Sequence, residues 1–400
     1  MNEIDQNSSI LTLNAGSSSL KFSLFTSCIN LNLLVSGEIE NLGTSNTEFH
    51  FINHNSGQKC AISLGVQSIK SIPDLFLEWI GKKEEFRNMA AIGHRIVYGI
   101  NYTHPEMVTG DFLKEIKTKI LFDPDHLPLE IALMEVFLIH YSGCKQWACF
   151  DTVFHLGMPK VAKLLPIPRK YFEKGIYRYG FHGLSYTYLL GELKKQEGGD
   201  VSNGKIIMAH LGGGCSLVAV DKGKSLDTTM GFSPSSGLPM GTRSGDLDGG
   251  LVSYLLKQEK LSINEFSEMM NHQSGLLGIS EISSDMRELM NLEDQDERAE
   301  EAIAYFCYQT RKWIASYTGV LEGLDTLVFS GGIGQNSPEA RSRICDGLAY
   351  LGIKIHEINN MNNERIISDT TSRVQVLVIK TNEELVIAQI VYQNLNFNLS

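Results

Sequence analysis

Near its start the sequence reads Ser9-Ile10-Leu11-Thr12-Leu13-Asn14-Ala15-Gly16-Ser17-Ser18-Ser19-Leu20-Lys21-Phe22-Ser23-Leu24-Phe25-Thr26. Ile10 to Leu13 reads as a strand, Asn14 to Ser19 as a turn, and Leu20 to Phe25, alternating apolar and polar, as a second strand. Ser9 to Thr26 is therefore a hairpin. The second half begins the same way, with a strand over Lys205 to His210, a turn over Leu211 to Cys215 and a strand over Ser216 to Val220. Gly16-x-x-Ser19-Leu20 matches Gly213-x-x-Ser216-Leu217 about half a chain away. Two lobes of related build would produce this, and so would chance.

Outward from the two hairpins, strand and helix patterns alternate, which is the α/β class. Helical spacing covers Ser68 to Ile80, Phe112 to Ile120, Leu129 to His140, Leu261 to Met270 and Glu297 to Leu321. A buried strand ends at Phe150, Leu324 to Phe329 is another, and a glycine-rich turn over Gly331 to Asn336 precedes a helix from Pro338 to Leu351. Val374 to Ile379 reads as a strand and Asn382 to Val391 as a helix. The acidic run Glu293 to Glu297 is read as a solvated helix start, in preference to a metal site. With no low-complexity linker, the domain boundary must be a compact crossover near Phe150–Asp151.

Length and charge narrow the function. The 400 residues suffice for two or three domains with their own cores. Hydrophobic residues at 42% and charged ones at 20% exclude a mostly disordered chain. A net charge of -11 excludes wholesale binding of nucleic acid but leaves room for a local basic pocket. The seven cysteines show neither C-x-x-C nor zinc spacing, which predicts reduced thiols in a cytoplasmic protein. Neither a signal peptide nor an apolar run of spanning length is read, so no membrane partner is expected.

Three glycine-rich turns each follow an apolar strand: Asn14 to Ser19, Leu211 to Gly214, and Gly331 to Asn336. They suit phosphate, whose oxygens need close backbone N–H groups, but tight turns also need glycine. A P-loop is excluded, because Val218 stands where the first glycine before Gly223-Lys224-Ser225 should be. The dinucleotide G-x-G-x-x-G fails at Leu217. Arg243, framed by Gly241, Thr242, Ser244 and Gly245, suits an anion, or else pairs with Asp246 or Asp248 as loop glue. Arg95 in Gly93-His94-Arg95, His182 in Arg178-Tyr179-Gly180-Phe181-His182-Gly183, and Asp151 after its strand are further candidates. For His182 the plainer alternative is a structural histidine, and for Asp151 a helix cap.

Taken together, these segments resemble the acetate kinase family. The resemblance is carried by Asn14 to Lys21, Gly93 to Arg95, Phe150-Asp151-Thr152 with Phe154-His155, Arg178 to Gly183, and His210 to Gly214. It continues through Met240 to Asp248, Ser274 to Gly278, Gly331 to Gly334 and Thr381 to Leu385, collinear from about Ile10 to Ile390. It implies the acetate and sugar kinase/Hsp70/actin (ribonuclease H-like) fold, with mixed β-sheets flanked by helices in two related lobes. Residues 1–150 plus 384–400 would form the acyl-substrate lobe and 151–383 the nucleotide-binding lobe. The implied reaction is ATP + acetate ⇌ ADP + acetyl phosphate, with propionate or another short-chain carboxylate as the alternative acceptor. Mg²⁺ is the implied metal, with Mn²⁺ as a substitute, and a homodimer the implied assembly.

By position, the resemblance assigns Asn14 and Glu383 to the metal and Asp151, His182 and Arg243 to catalysis. Arg95, Val97, Phe181 and Pro234 would hold the acyl substrate. Lys21, His210, Leu211, Gly212, Gly213, Gly214, Asp285, Met286, Arg287, Gly331, Gly332, Ile333, Gly334 and Gln335 would contact ATP. Acetate is already a nucleophile, so the demand is for alignment and charge neutralisation rather than a strong base. Asp151 is therefore read as much as a positioner of Mg²⁺ or an arginine as a base. Closure of the lobes around both substrates is expected, to exclude water.

The chain departs from the family pattern in places. Asp123-Pro124-Asp125-His126-Leu127-Pro128 stands for the usual A-P-L-H-N-P, which puts Asp125 where a leucine helps wall the acyl pocket. Either Asp125 turns away, or the pocket accepts something other than plain acetate, or the local alignment slips. Ser233 to Pro239 departs from T-P-L-E-G-L, Tyr98 and Tyr186 replace histidines, and Lys380 replaces a proline. The competing class is an actin- or Hsp70-like ATP-binding module without acyl kinase activity. Such a module has no need of Arg95, His182 and Arg243 beside nucleotide turns.

Overall fold

A computed structural model describes residues 8–196 and 201–397. They form two compact units: one runs to Val153 and resumes at Asn382, and the other is Phe154–Thr381.

The first unit holds strands β1 (Ser9–Ala15), β2 (Leu20–Thr26), β3 (Leu33–Glu40), β4 (Thr47–Asn53), β5 (Lys59–Gly65), β6 (Met89–Ile96), β7 (Glu106–Met107) and β8 (Lys145–Phe150). Their order in the sheet is β5-β4-β3-β2-β1-β6-β8-β7. From β1 to β5 the sheet is an antiparallel meander, whereas β1, β6 and β8 run parallel. Every residue of β1 is buried, as a central strand covered on both faces should be. One core is built on Phe22, Phe49, Phe76 and Phe137, with Trp79 packed against it. The helices Ile72–Gly81 and Leu127–His140 supply Phe76 and Phe137. The last helix, Glu383–Phe397, packs on β6 where Gly93 leaves room, because a Cβ there would overlap Ile387 and Val391.

The second unit holds β9 (Lys205–Leu211), β10 (Cys215–Asp221), β11 (Lys224–Thr228), β12 (Thr326–Ser330) and β13 (Gln375–Val378), in the order β11-β10-β9-β12-β13. Two antiparallel pairings lead into two parallel ones. That is the order and sense of β3-β2-β1-β6-β8, so the half-chain hairpin match marks a duplicated sheet. The hairpin turns fill residues 16–19 in the first unit and 212–214 in the second. Tyr186, Leu189 and Leu193 of the helix Gly183–Gln196 pack in a core with residues of β9, β10 and β12. The 25-residue helix Glu297–Leu321 begins on Asp296, whose side chain accepts from the Arg298 N–H. The acidic run is therefore a helix start, as read from the sequence.

The last helix runs to Phe397 rather than Val391 and the helix read over Phe112 to Ile120 is Gly110–Lys117, and two further differences turn on glycine. Gly331–Asn336 is a helix, not a turn: Gly331, at φ +77°, bends the chain sharply enough for the helix to start as β12 ends. The helix from Pro338 stops at Cys345 rather than Leu351, because Gly347 takes φ +82°. All seven cysteines are free thiols, and among the described residues no helix is long and apolar enough to cross a membrane.

Gly93→Val should cost about 1–3 kcal/mol or more by overpacking, read as a lower unfolding midpoint with early loss of protection in the last helix. Two buried histidines set an acid limit. Burial pushes the imidazoles of His94, bonded to Gln146, and His155, bonded to Ser225 and the Phe181 carbonyl, from the ordinary 6.5 to about 4. Between those values the unfolded chain binds protons that the folded chain refuses, so stability rises with pH. The melting temperature should fall as pH drops from 6.5 to 4, and His155→Gln should shallow that slope.

Candidate active site

At the C-terminal end of β6, Arg95 enters a polar cluster of the first unit. Its Nε and Nη2 donate to Asp151 Oδ2 at 3.1 and 2.6 Å, and its Nη1 donates to Asn14 Oδ1 at 2.9 Å. Asn14, near the end of β1, turns its amide nitrogen to Glu383 Oε2 and Glu384 Oε1, each at 2.9 Å. Parallel pairing of β6 with β1 and β8 brings the three strand ends together, and the last helix adds its first turn. Asp151 is fully buried and the Arg95 side chain is 12% exposed. Burial works against the Arg95 charge, but Asp151 and then Glu383 more than offset it, so the guanidinium stays protonated. Three of its five N–H groups are spent in these bonds, leaving one on each terminal nitrogen for a carboxylate.

Val97, two residues on, is buried, and its N–H donates to Glu130 Oε1 at 3.0 Å. In the segment that departs from the family pattern, the buried acid is Asp123, which meets His126 Nδ1 at 2.7 Å, while Asp125 is half-buried. Lys21 lies on β2 of this same unit, 3.7 Å from Glu38.

The second cluster belongs to the second unit. His182 is held at φ +58°, a left-handed conformation that costs a non-glycine residue about 1–3 kcal/mol. Its Nδ1 meets Ser216 Oγ at 2.8 Å, Ser216 meets the Tyr186 hydroxyl at 2.5 Å, and its ring stacks on His210 at 4.3 Å. Ser185 Oγ in turn holds His210 Nδ1 at 2.8 Å. The preceding Gly180, at φ +77°, has no room for a side chain beside His155 and Thr228. Gly214 brings the candidates together: a Cβ there would stand 3.2 Å from His182 Nε2 and 3.7 Å from Arg243 Nη1. Arg243 also donates to the Pro234 carbonyl at 3.2 Å, while Asp246 accepts from the Gly237 N–H and Asp248 caps a helix.

The glycine-rich turn and the glycine-rich helix of this unit are neighbours. Ser330 pairs with His210 across β12 and β9, and a Cβ on Gly212 would be 3.4 Å from the Gly332 nitrogen. Gly213 and Gly332 face open space, whereas Gly331 and Gly334 are buried. Ile333 and Gln335 lie in the same short helix. Asp285 caps the helix Met286–Leu292 and pairs with the exposed Arg287, and Met286 between them is a core residue. The four acyl candidates divide between the units, Arg95 and Val97 in the first, Phe181 and Pro234 in the second.

Three partners escaped the sequence reading: Glu384, Glu130, and Ser216 in its role as the support of His182. Glu130 left a signal, a lone acid in the apolar run Leu127-Pro128-Leu129-Glu130-Ile131-Ala132-Leu133. Among the described residues no three His, Cys, Asp or Glu side chains gather as a metal cage. A single buried carboxylate such as Glu383 fits a hard cation that keeps its waters and arrives with phosphates. The Asn14 oxygen is already taken by Arg95.

Residues 9–389 match the model of the acetokinase family. The acetate kinase of Rickettsia felis is 42% identical over 382 residues, 95% of this chain and 97% of that protein. A propionate kinase from Francisella tularensis superposes with a TM-score of 0.87 at 37% identity, over 96% of this chain and 98% of its own. Porphyromonas gingivalis acetate kinase does so with 0.84 at 31% identity, over 97% and 100%. The two-lobed fold of mixed sheets expected from the sequence is thus the fold of solved acyl kinases.

Replacing Ser216 by alanine should leave the fold intact yet move the His182 Nδ1 resonance in nitrogen-detected NMR. That of His94, in the other unit, should stay in place.

Proposed function

The chain belongs to the acetokinase family, and from that premise we propose that it transfers the γ-phosphoryl group of ATP reversibly to acetate, giving acetyl phosphate and ADP. The observation that carries this reading is the prepared guanidinium of Arg95. It is fixed on one side by Asp151 and Asn14 and still has two N–H groups to offer a carboxylate.

The first unit supplies the acyl side. Acetate, bound by Arg95 with Val97 beside it, needs no deprotonation at neutral pH. Asp151 then works as the group that aims Arg95, consistent with complete burial and two bonds from the same guanidinium. The second unit supplies the nucleotide side. The turn at His210 to Gly214 and the short helix holding Gly331 to Gln335 approach the phosphates, with Asp285 to Arg287 beside the nucleoside. His182 and Arg243, which converge on Gly214, meet the charge that spreads over the phosphoryl oxygens. Ser216 holds His182 Nδ1, which turns Nε2 toward that work. Lys21 lies near Glu38 in the first unit, and we assign it to the phosphates on the resemblance alone.

Kinase chemistry of this family calls for a divalent metal, for which we propose Mg²⁺ with Mn²⁺ as a substitute. Glu383 would hold it, and Asn14 would act through Glu383. When bound, the cation neutralises phosphate charge. A cytoplasmic homodimer completes the proposal, on family resemblance and the free thiols.

The test is ATP-dependent acyl phosphate formation, trapped with hydroxylamine, across formate, acetate, propionate, butyrate and a hydroxy acid. Acetate should give the highest kcat/KM. A preference for propionate would place the chain with its Francisella neighbour, and no product from any acid would reject the reading. Arg243→Ala should lose roughly 10³–10⁵ in kcat while ATP still binds. Loss of ATP affinity at near-normal turnover would contradict its role.

A further inference from the structure

Glu130 sits one turn into the helix Leu127–His140, 1% exposed, among apolar neighbours in the chain. One carboxyl oxygen, Oε1, accepts the Val97 N–H at 3.0 Å, and the other, Oε2, is buried with no hydrogen-bond partner. A carboxylate anion in that position would keep a full charge on a buried oxygen that no protein group bonds, which is costly. The groups around it do not relieve the cost. Asp123, from the loop before the helix, is buried beside His126 and repels a charge on Glu130, and Asp151 at the end of β8 does the same. Arg95, at the end of β6, is attractive but already bound to Asp151 and Asn14. Burial, then Asp123, push the Glu130 carboxyl well above the usual carboxylate range.

The bond to Val97 falls where the sheet stops supplying acceptors. The last β6–β8 pair is Ile96 with Phe150, so the Val97 N–H lies just past the ladder. The following residues cross closely over the other strand end, since a Cβ on Gly99 would overlap Thr152 and Phe150. Glu130 thus holds the exit of β6 against the helix, two residues from Arg95.

We propose that Glu130, in its neutral form, is a positioning residue for the carboxylate substrate, holding the Val97 backbone and with it the setting of Arg95 without adding a negative charge to the acyl side. This rests on the acetate kinase reading. It adds that a protonated acid, outside the residues that touch substrate, sets the affinity for the acid substrate and not for ATP.

The test uses the full-length enzyme with Glu130→Gln, which keeps the acceptor oxygen without a titratable group, and Glu130→Ala, which removes it. An infrared difference spectrum of wild type against Glu130→Gln at neutral pH should show a protonated carboxyl band. A carboxylate band instead overturns the proposal, and this readout does not depend on turnover. In kinetics, Glu130→Gln should keep the acetate KM within about twofold, while Glu130→Ala should raise it by about tenfold with the ATP KM unchanged. Equal rises in both variants, or a rise in the ATP KM to match, also overturn it. A wild-type enzyme that turns over no acid defeats the kinase reading instead, and the infrared result then stands on its own.

Discussion

One guanidinium organises the polar cluster at the strand ends of the first unit. Arg95 reaches from β6 to the end of β8 through Asp151 and to the end of β1 through Asn14, and Asn14 passes the connection to the first turn of the last helix. Four segments distant in sequence are thereby fixed at one edge of one sheet. Removing Arg95 or Asp151 alone would strand the charge of the other in a largely buried site, a loss of about 3–5 kcal/mol. The same constraint explains Gly93 two residues earlier: the last helix must lie flat on β6 for Glu383 and Glu384 to meet Asn14.

The second unit, which we propose to take the nucleotide, is organised around His182 instead. Its central histidine is held in a backbone conformation it would not choose, and the surroundings over-determine it: Ser216 on one ring nitrogen, His210 against the ring face, and the crowded Gly180 just before. Strain of this kind persists where the surrounding structure over-determines it. Tyr186, which stands where the family usually has a histidine, completes the support by bonding Ser216.

Much of this was legible because backbone geometry leaves a strong sequence trace. The Ser9–Thr26 and Lys205–Val220 hairpins carry alternation and glycine, and of the two origins open for their likeness, a duplicated sheet and chance, the strand orders favour the first. What was illegible follows from physics that acts across the fold. The helix at Gly331 looked like a turn because glycine is a poor helix former, and only the sharp bend at φ +77° makes it the start of one. Asp125 stands out by position, yet the buried acids of its stretch are Asp123 and Glu130, and burial of an acid is set by its neighbours rather than by its own segment.

The central claim is that Asp151 acts by aiming Arg95 and not by taking a proton from acetate. The pH dependence of kcat/KM for acetate in Asp151→Asn tests it most directly. Aiming predicts a raised acetate KM, with a profile of the same shape as wild type, because no essential base has been removed. Loss of the acidic limb together with a collapse of kcat at unchanged acetate KM would make Asp151 the base and contradict the account.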